Sequence, residues 1–567
     1  MSSDKKKSVE KSSILDQWRN RKNAGTSSNH ISPRPTDAPL LASSGQKRLW
    51  LLQQLYPDNP FYQYAHLYRL EGEVQLDRLQ TSFQRLVLKH EILRTNFIET
   101  SSGLELKINA DDPFVIENLE ADSPDEAVRA FALRTFDLSH DQLIRMGWVE
   151  ISANEHWLVL SMHHIIGDRG SLLILQQELF ADYNQATTTP LPLQYSDYAH
   201  WKNNKEISTS ELDYWQQQLS GRLPILSLPM AKPQPQKVSF EGETIAIALT
   251  PSLSAGVQKI ALQHKTTKFV ILLAAFKVLL YRYSGQSDLL IGSPFSNRDS
   301  VQLEKLIGFF NETVVLRSRM DDNVSFSQFV NQLKQTNLDA LAHKNVPFEM
   351  LVKTLQVERN GSNPIFQVMF VYNNSSTSAF SNLDFEIEDT AIDLGVSKFD
   401  LTLFATDHQD YLELAMEYAT DRYDRASVEQ LLSHLQVILH SAIEQPEQLI
   451  SKLDVLSSVE KEKILVNWNK TLMPEPVHTS IHAMIEARAL EVPDEKAVVF
   501  EDSFLTYAQL MEQADSVANV LMDCHVERPR LLGLYTERST AMIVGLLGIL
   551  KAGAAYLPLD PDYPEER

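Results

Sequence analysis

The sequence predicts an α/β fold made of successive blocks in which strands and helices alternate. The chain has 567 residues, of which 43% are apolar and 22% charged, a composition typical of globular proteins and long enough for several domains. Strand-length apolar runs alternate with helix-period segments from Pro39 to about Ser208, and again from about Glu211 to Glu447. Two α/β blocks of similar size predict two lobes with a cleft between them. A third, incomplete α/β pattern begins after Val477.

The elements follow from apolar periodicity. In the first block, Leu79–His90 has the period of a helix and His156–Met162 that of a buried strand, and Ser171 is placed to cap a helix over Ser171–Asn184. The second block and the segment after it predict, in order, a helix at Thr267–Tyr283, strands at Leu289–Ser293 and Asp410–Tyr418, a helix at Ala426–Glu444 and a charged helix at Asp454–Asn469.

These patterns divide the chain into five parts. They are a flexible tail at 1–38, a first lobe at 39–208, a second lobe at 209–455, a linker at 456–475 and an α/β fragment at 476–567. Up to Lys22 the tail carries seven basic and three acidic residues, against the net charge of the whole chain, and Val9–Lys22 could form a short helix. Such a tail is either a solvated segment or a docking element for an acidic partner.

Composition excludes several classes of function. The net charge of −22 disfavours general nucleic-acid binding, which needs surface cations. Cys524 is the only cysteine, so the chain has no internal disulfide and no thiolate zinc site. No apolar signal segment follows the basic start, and Phe269–Tyr281 and Ala541–Leu557 are both too short and too interrupted to span a bilayer. We therefore expect a cytoplasmic protein.

The most informative local feature is the segment Met162–Ser171, which contains His163, His164, Gly167 and Asp168. It follows a predicted strand and opens a helix, a common location for reacting groups. Histidine there can accept a proton near neutral pH, and a carboxylate can orient it. The residues alone leave catalysis, a structural role and a metal site open, although the metal is disfavoured because no His-Glu-x-x-His pattern is present. A serine hydrolase is excluded because the sequence has no Gly-x-Ser-x-Gly elbow.

The segment from His163 to Asp168, with its His-His-x-x-x-Asp pattern, is the third of seven ordered blocks. The others are Ser43–Trp50, Lys89–Phe97, Tyr195–Trp201, Ile307–Thr313, His343–Glu349 and Arg359–Ile365. With these blocks the chain resembles the condensation domain of non-ribosomal peptide synthetases over roughly residues 40–455.

Two further blocks, Leu505–Leu510 and Leu550–Asp560, lie in the last part of the chain. They are similar to the first and second blocks of an adenylation domain, so this part resembles the start of one. The Ser/Thr/Gly-rich phosphate loop of that family is not reached before Arg567. We therefore expect no adenylation activity from this chain, and a longer parent synthetase.

The resemblance implies two lobes similar to chloramphenicol acetyltransferase, arranged in a V with a central tunnel. It also implies amide-bond formation between an acyl or peptidyl thioester and the amine of an aminoacyl thioester. Both substrates would be carried on phosphopantetheine arms of donor and acceptor carrier proteins, with no cofactor bound by this chain and no metal.

The site residues carry over by position. His164 would take the amine proton or hold the reacting groups, while His163 and Gly167 would shape the loop. Asp168 would pair with Arg298 and tie the loop to the second lobe, supported by Ser171. The resemblance gives structural roles to four more residues, Arg94, Tyr195, Asp197 and Trp201.

The sequence departs from the family pattern at several positions. Arg169 stands where glycine is usual, and could line a substrate channel or pair with an acidic group. Gly170 stands where an aromatic residue is common. Gly45, Asn311–Glu312 and Asn345 also differ from the usual residues, and the final block is about one residue short. None of these changes removes His164.

Several functional alternatives remain open. No carrier-protein block precedes residue 39, so we expect the donor in trans, either as a fatty acyl starter or from an upstream synthase or acyl-loading protein that docks on the tail. Ester formation is a variant of the same reaction. An epimerisation domain would share the histidine loop, and a non-catalytic scaffold would recruit carrier proteins or tailoring enzymes.

Overall fold

The computed structural model describes residues 30–110, 113–120, 122–185, 189–235, 238–355, 363, 365–375, 383–408, 410–472, 480–524, 531–564 and 566. The chain divides into two compact units, Met1–Lys461 and Glu462–Arg567. The predicted tail helix Val9–Lys22 and most of the predicted block Arg359–Ile365 lie outside the described residues.

The first unit contains a five-stranded sheet. Its strands are β1 (Gln63–Gly72), β4 (Glu117–Asn118), β5 (Ile144–Ser152), β6 (Glu155–His163) and β11 (Phe385–Ala391), in the order β11-β1-β6-β5-β4. A separate hairpin comprises β2 (Thr95–Thr100) and β3 (Gly103–Ile108). The helices of this part are α1 (Ser44–Leu55), α2 (Leu76–Lys89), α3 (Pro124–Leu133), α4 (Arg169–Tyr183), α5 (Tyr195–Asn204) and α6 (Thr209–Gln218).

A second sheet in the first unit has six strands. They are β7 (Gly242–Ala248), β8 (Asp288–Ser296), β9 (Asn311–Arg319), β10 (Val368–Asn374), β12 (Leu401–Asp407) and β13 (Leu412–Ala419), in the order β7-β13-β12-β10-β8-β9. The helices around it are α7 (Pro251–Gln263), α8 (Lys268–Ser284), α9 (Phe326–Ala342), α10 (Phe348–Leu355) and α11 (Arg425–Glu444).

Helix α8 is the central helix of the second core. Every residue from Phe269 to Leu280 is buried, as expected for a helix that is apolar on all sides. It ends where Gly285 adopts a left-handed conformation with φ of 67°, which glycine accommodates without strain. Lys277 is fully buried within it and donates to the carbonyl of Leu316 at 2.7 Å, and burial lowers the pKa of this lysine to about 7.

The division into lobes at residue 208 needs correction, because two later segments belong to the first core. Strand β11 pairs antiparallel with β1, from His66 opposite Ala391 to Gly72 opposite Phe385. Leu303 and Phe310 also pack into the first core. Local patterns carry no sign of this, because the pairing depends on long-range register.

The predicted cap of the helix after the histidine loop is wrong. Helix α4 begins at Arg169, and its N-cap is Asp168, whose side chain accepts a hydrogen bond from the backbone N–H of Ser171. Ser171 therefore lies in the first turn. The helix predicted at Asp454–Asn469 is shorter in the structure, where α12 covers Ser458–Glu462 and a π-turn covers Lys463–Asn467.

The second unit is a smaller α/β fragment. It contains α13 (Ile481–Glu491), β14 (Lys496–Phe500), β15 (Ser503–Thr506), α14 (Tyr507–Asp523), β16 (Leu531–Tyr535), α15 (Thr540–Lys551) and β17 (Ala555–Leu559). Strands β14 and β15 form an antiparallel pair, whereas β16 and β17 are parallel. Among the described residues of the whole chain, no helix has the length and apolarity needed to cross a membrane.

Candidate functional site

The histidine loop connects the end of β6 to the start of α4. His163 is the last residue of β6, a 3₁₀ turn covers His164–Ile166, and α4 starts at Arg169. The backbone N–H of His164 donates to the carbonyl of Tyr62 on the neighbouring chain segment at 2.7 Å. The sheet therefore fixes the position of the loop.

His163 is a buried, neutral part of the loop. Its Nδ1 accepts from the backbone N–H of Ile165 at 3.1 Å, so the ring proton lies on Nε2, which faces Gln53 Oε1 at 3.3 Å. Burial, together with the neighbouring His164 and Lys398, lowers the pKa of His163 to about 3. This geometry suits a residue that shapes the loop.

His164 is half-buried, and both of its ring nitrogens have defined partners. Nδ1 faces the carbonyl of Gly167 at 2.8 Å. A carbonyl can only accept, so Nδ1 carries the proton and the lone pair lies on Nε2. The Tyr64 hydroxyl lies 3.0 Å from Nε2. Burial and the Lys398 ammonium lower the pKa of His164 to about 4, partly opposed by Asp168, so the ring is neutral at pH 7.

Asp168 holds the loop in place through four hydrogen bonds. Oδ1 accepts from the backbone N–H and the hydroxyl of Ser171, both at 2.8 Å, and from Arg298 Nη2 at 3.1 Å. Oδ2 accepts from the backbone N–H of Phe310 at 3.1 Å. The side chain is 2% exposed, and these protein groups neutralise or solvate the carboxylate.

Arg298 connects this cluster to the second sheet, because it lies two residues beyond the end of β8. Besides Asp168, its guanidinium donates to the Ser171 hydroxyl at 2.8 Å and to the carbonyls of Leu303 and Leu306 at 2.8 and 2.5 Å. It also stacks 4.0 Å from the centroid of the Phe310 ring. The structure thus brings Asp168, Ser171 and Arg298 together.

Arg169 is half-buried beside the same cluster. Its Nε has no hydrogen-bond partner, and no ion pair of its side chain occurs within the described ranges. A cation at the first position of a helix opposes the helix dipole. Among the described residues, no group of three or more His, Cys, Asp or Glu side chains is placed to hold a metal ion.

The other residues singled out from the sequence make structural contacts. Arg94 donates to the carbonyl of Asn109 at 2.6 Å, and the Tyr195 hydroxyl donates to the carbonyl of Phe309 at 2.7 Å. Asp197 accepts from the backbone N–H groups of Arg34 and Gln194 at 2.9 and 2.7 Å. Trp201 packs at the edge of the first core.

Sequence reasoning missed Tyr64 and Lys398. The Tyr64 and His164 ring centroids are 4.5 Å apart, and the Lys398 ammonium lies 4.7 Å from the centroid of Tyr62. Neither residue belongs to a quoted block, and only the pairing of β1 with β6, with Tyr64 opposite Met162, brings Tyr64 to the loop. The sequence contained no signal for this register.

A cavity of about 440 Å³ lies elsewhere, at the outer edge of the second sheet. Arg317, Arg319 and Thr336 are among the residues that line it. None of the predicted site residues is there. We place the candidate site at the histidine loop, because the convergent polar groups and the histidines with lowered pKa values lie there.

Fold and site together define an α/β protein whose first unit has two main sheets, with a histidine loop anchored between their two cores. Residues 38–465 match the family model described as Condensation domain, and residues 485–567 match AMP-binding enzyme. The chain belongs to the condensation-domain family of non-ribosomal peptide synthetases, and the start of an adenylation domain follows.

Curated relatives are similar over nearly the whole chain. A linear gramicidin synthase protein of Brevibacillus parabrevis is 36% identical over 562 residues, covering 95% of this chain and 7% of that protein. Bacitracin synthase 3 of Bacillus licheniformis is 34% identical over 533 residues, covering 93% of this chain and 8% of that protein. The chain thus spans only a small part of the length of these relatives.

Solved structures share the fold, which confirms the predicted α/β class. The four-domain non-ribosomal peptide synthetase holo-AB3403, bound to AMP and glycine, has a TM-score of 0.82 at 22% identity, covering 96% of this chain and 43% of that chain. The X-domain from teicoplanin biosynthesis has a TM-score of 0.69 at 23% identity, covering 75% of this chain and 100% of that chain.

Proposed function

We propose that this chain joins a carrier-bound acyl or peptidyl thioester to the amine of a carrier-bound aminoacyl thioester, with His164 as its catalytic residue. The single observation that carries the proposal is the state of the His164 ring. Its Nδ1–H is held by the carbonyl of Gly167, so the lone pair that can take up a proton lies on Nε2. The loop that presents it is fixed by Asp168 and Arg298.

The reaction needs one proton to move. The amine nitrogen attacks the thioester carbonyl carbon, the nitrogen–carbon bond forms, and the nitrogen then loses a proton toward the His164 side. The carbon–sulfur bond breaks, and the departing sulfur takes up a proton. A pKa of about 4 makes His164 a weak base, but the nitrogen becomes positively charged as it bonds to the carbonyl carbon, which makes its N–H group far more acidic than that of the free amine. Positioning the two thioesters can lower the activation barrier by about 7–11 kcal/mol. General-base assistance raises the rate by about 10²–10⁴-fold, which corresponds to a smaller lowering of the barrier.

The test is a reconstituted condensation assay read by intact-protein mass spectrometry. Acyl-loaded donor carrier and aminoacyl-loaded acceptor carrier are mixed with the wild type, with His164→Ala or with His140→Ala. His140 is a matched control, because its side chain is 82% exposed and pairs with Asp137 at the surface. We expect product from the wild type and from His140→Ala, and a loss of about a hundredfold in His164→Ala with measurable residual activity.

Two other results would change the proposal. A loss of less than about threefold in His164→Ala would mean that holding the two arms together accounts for the rate. No product from the wild type with several acyl donors would favour a scaffold instead. The X-domain that shares this fold has also been solved in a complex with OxyB, which makes recruitment of a tailoring enzyme the alternative to examine.

A further inference from the structure

The Nε2 lone pair of His164 already has a hydrogen-bond partner. Because Nδ1–H is bound to the carbonyl of Gly167, Nε2 is an acceptor, and the Tyr64 hydroxyl at 3.0 Å must donate to it. Tyr64 comes from β1, whose pairing with β6 fixes its place opposite Met162. A substrate amine therefore cannot reach Nε2 directly while this hydrogen bond exists.

Tyr64 is suited to remain a donor at neutral pH. Burial and the nearby Asp168 carboxylate raise the pKa of its hydroxyl, and Arg169 only partly opposes this, so the phenol keeps its proton. The side chain is half-buried. The oxygen has two lone pairs, so with its proton directed at Nε2 and the Arg169 backbone N–H beside it, one lone pair can still accept from an incoming N–H group.

We propose that the Tyr64 hydroxyl stands between His164 and the acceptor amine and relays the amine proton to Nε2, an inference that rests on the proposed function. As the amine nitrogen bonds to the thioester carbon, its N–H proton moves to the Tyr64 oxygen, and the Tyr64 proton moves to His164 Nε2. After the carbon–sulfur bond breaks, the protons return along the same path to the sulfur. Tyr64 ends each cycle as a neutral phenol and His164 as a neutral imidazole.

The charged groups around the pair are compatible with this path. Lys398 and Asp168 act on His164, and Arg169 and Asp168 act on Tyr64. Lys398 disfavours a lasting positive charge on the imidazole, so the proton received by Nε2 is passed on readily. Asp168 offsets part of that effect.

The test replaces Tyr64 with phenylalanine, which keeps the ring and removes the hydroxyl. Tyr283→Phe is the matched control, because the Tyr283 hydroxyl makes a similar hydrogen bond to His434 Nδ1, at 2.6 Å, beside the second core. Single-turnover rates are measured in mixtures of H₂O and D₂O with both carriers saturating. We expect Tyr64→Phe to lower the rate by about tenfold or more, and Tyr283→Phe to stay within about twofold of the wild type.

The proton inventory separates a relay from a packing role. We expect a curved dependence on the D₂O fraction for the wild type, since two protons move together, and a linear one for Tyr64→Phe. Adding Tyr64→Phe to His164→Ala should cause little further loss, because the two residues act as a unit. In the absence of substrates, the ¹⁵N chemical shift of His164 Nε2 should also differ between Tyr64→Phe and the wild type.

Each contrary result has one meaning. A rate in Tyr64→Phe equal to or above that of the wild type would show that Tyr64 only covers Nε2, and the relay would be wrong while the proposed function stood. An unchanged, curved proton inventory in a slower Tyr64→Phe would likewise overturn the relay. Absence of product from the wild type would instead overturn the proposed function, and the relay with it.

Discussion

Arg298 is a residue through which the two cores are connected. Its guanidinium bonds Asp168, Ser171 and two carbonyls, and it is 12% exposed. Buried ion pairs of this kind gain little over apolar packing, but removing one partner leaves a buried charge without compensation. The contribution of the pair to stability is therefore measurable only when one of the two partners is replaced and the other is kept.

Replacing Arg298 with methionine should lower the free energy of unfolding by about 3–5 kcal/mol. The reason is that the Asp168 carboxylate would stay buried and lose its only ion-pair partner in the described part of the chain. Urea unfolding followed by fluorescence measures the change. Arg69→Met is the control, because its pair with Glu388 is largely exposed and such pairs contribute about 0–1 kcal/mol.

The double variant Asp168→Asn with Arg298→Met completes a double-mutant cycle for the free energy of unfolding. The double variant should be less destabilised than the sum of the single variants, because Asp168→Asn removes the carboxylate charge that Arg298→Met leaves unpaired. Strict additivity would contradict the view that the two side chains act on each other.

At the scale of elements, the β6–α4 loop carries two histidines that are neutral in the folded protein. The folded pKa values of His163 and His164 are lowered to about 3 and about 4, whereas in the unfolded chain both groups titrate near 6.5. As the pH falls below 6.5 the unfolded state binds protons that the folded state does not. Stability is therefore unaffected by these groups above about pH 7 and is lost progressively as the pH falls from about 6.5 toward 4.

From pH 7 to pH 5, His163 alone should remove about 2 kcal/mol of stability. His163→Asn will be less stable at pH 7, because it loses packing, but its stability should fall by about 2 kcal/mol less over the same interval. Urea unfolding of both proteins at pH 7 and pH 5 measures the difference between the two slopes. Equal slopes would mean that His163 accepts a proton in the folded state.

How much of an element could be predicted depended on how local its determinants are. Helix α8 and strand β6 came within a residue or two of their observed bounds, because their apolar periodicity is local. The predicted N-cap of α4, Ser171, lies three residues after the observed one, Asp168. Both Asp and Ser are favourable N-cap residues, and only backbone geometry distinguishes the two positions. The pairing of Asp168 with Arg298 came from family resemblance, whereas Tyr64 required the register of β1 against β6.

For the whole molecule, the two α/β blocks were predictable from the sequence, but the exchange of a strand between their sheets was not. Strand β11 leaves the second half of the chain to pair with β1, and the chain then returns through Lys398 to β12. Both the loop that carries His164 and the segment that carries Lys398 are thus fixed at their ends by sheets. A candidate site assembled from segments more than 200 residues apart cannot be read from local patterns.

The largest-scale prediction concerns the basic tail, which we propose as the docking element for a donor-carrying partner. Within the described part of the chain, Ile31 is bonded to the body, since its backbone N–H donates to the Gln302 side chain at 3.1 Å and its carbonyl accepts from that side chain at 2.8 Å. Deleting residues 1–29 therefore keeps this anchor and that of Arg34 on Asp197. We expect the Michaelis constant for the donor carrier to rise several-fold while the constant for the acceptor carrier stays unchanged.

The dependence of the Michaelis constant on ionic strength is a second test of docking through the tail. If opposite charge steers docking, the advantage of the full chain should shrink as ionic strength rises and the Debye length shortens from about 10 Å at 0.1 M toward 3 Å at 1 M. Replacing Lys5, Lys6 and Lys7 with glutamate in the full chain is the matched variant, since it keeps the length and reverses the charge. Identical Michaelis constants for the donor carrier in all three proteins at low salt would rule out docking through the tail, and partner recognition would then belong to the folded surface.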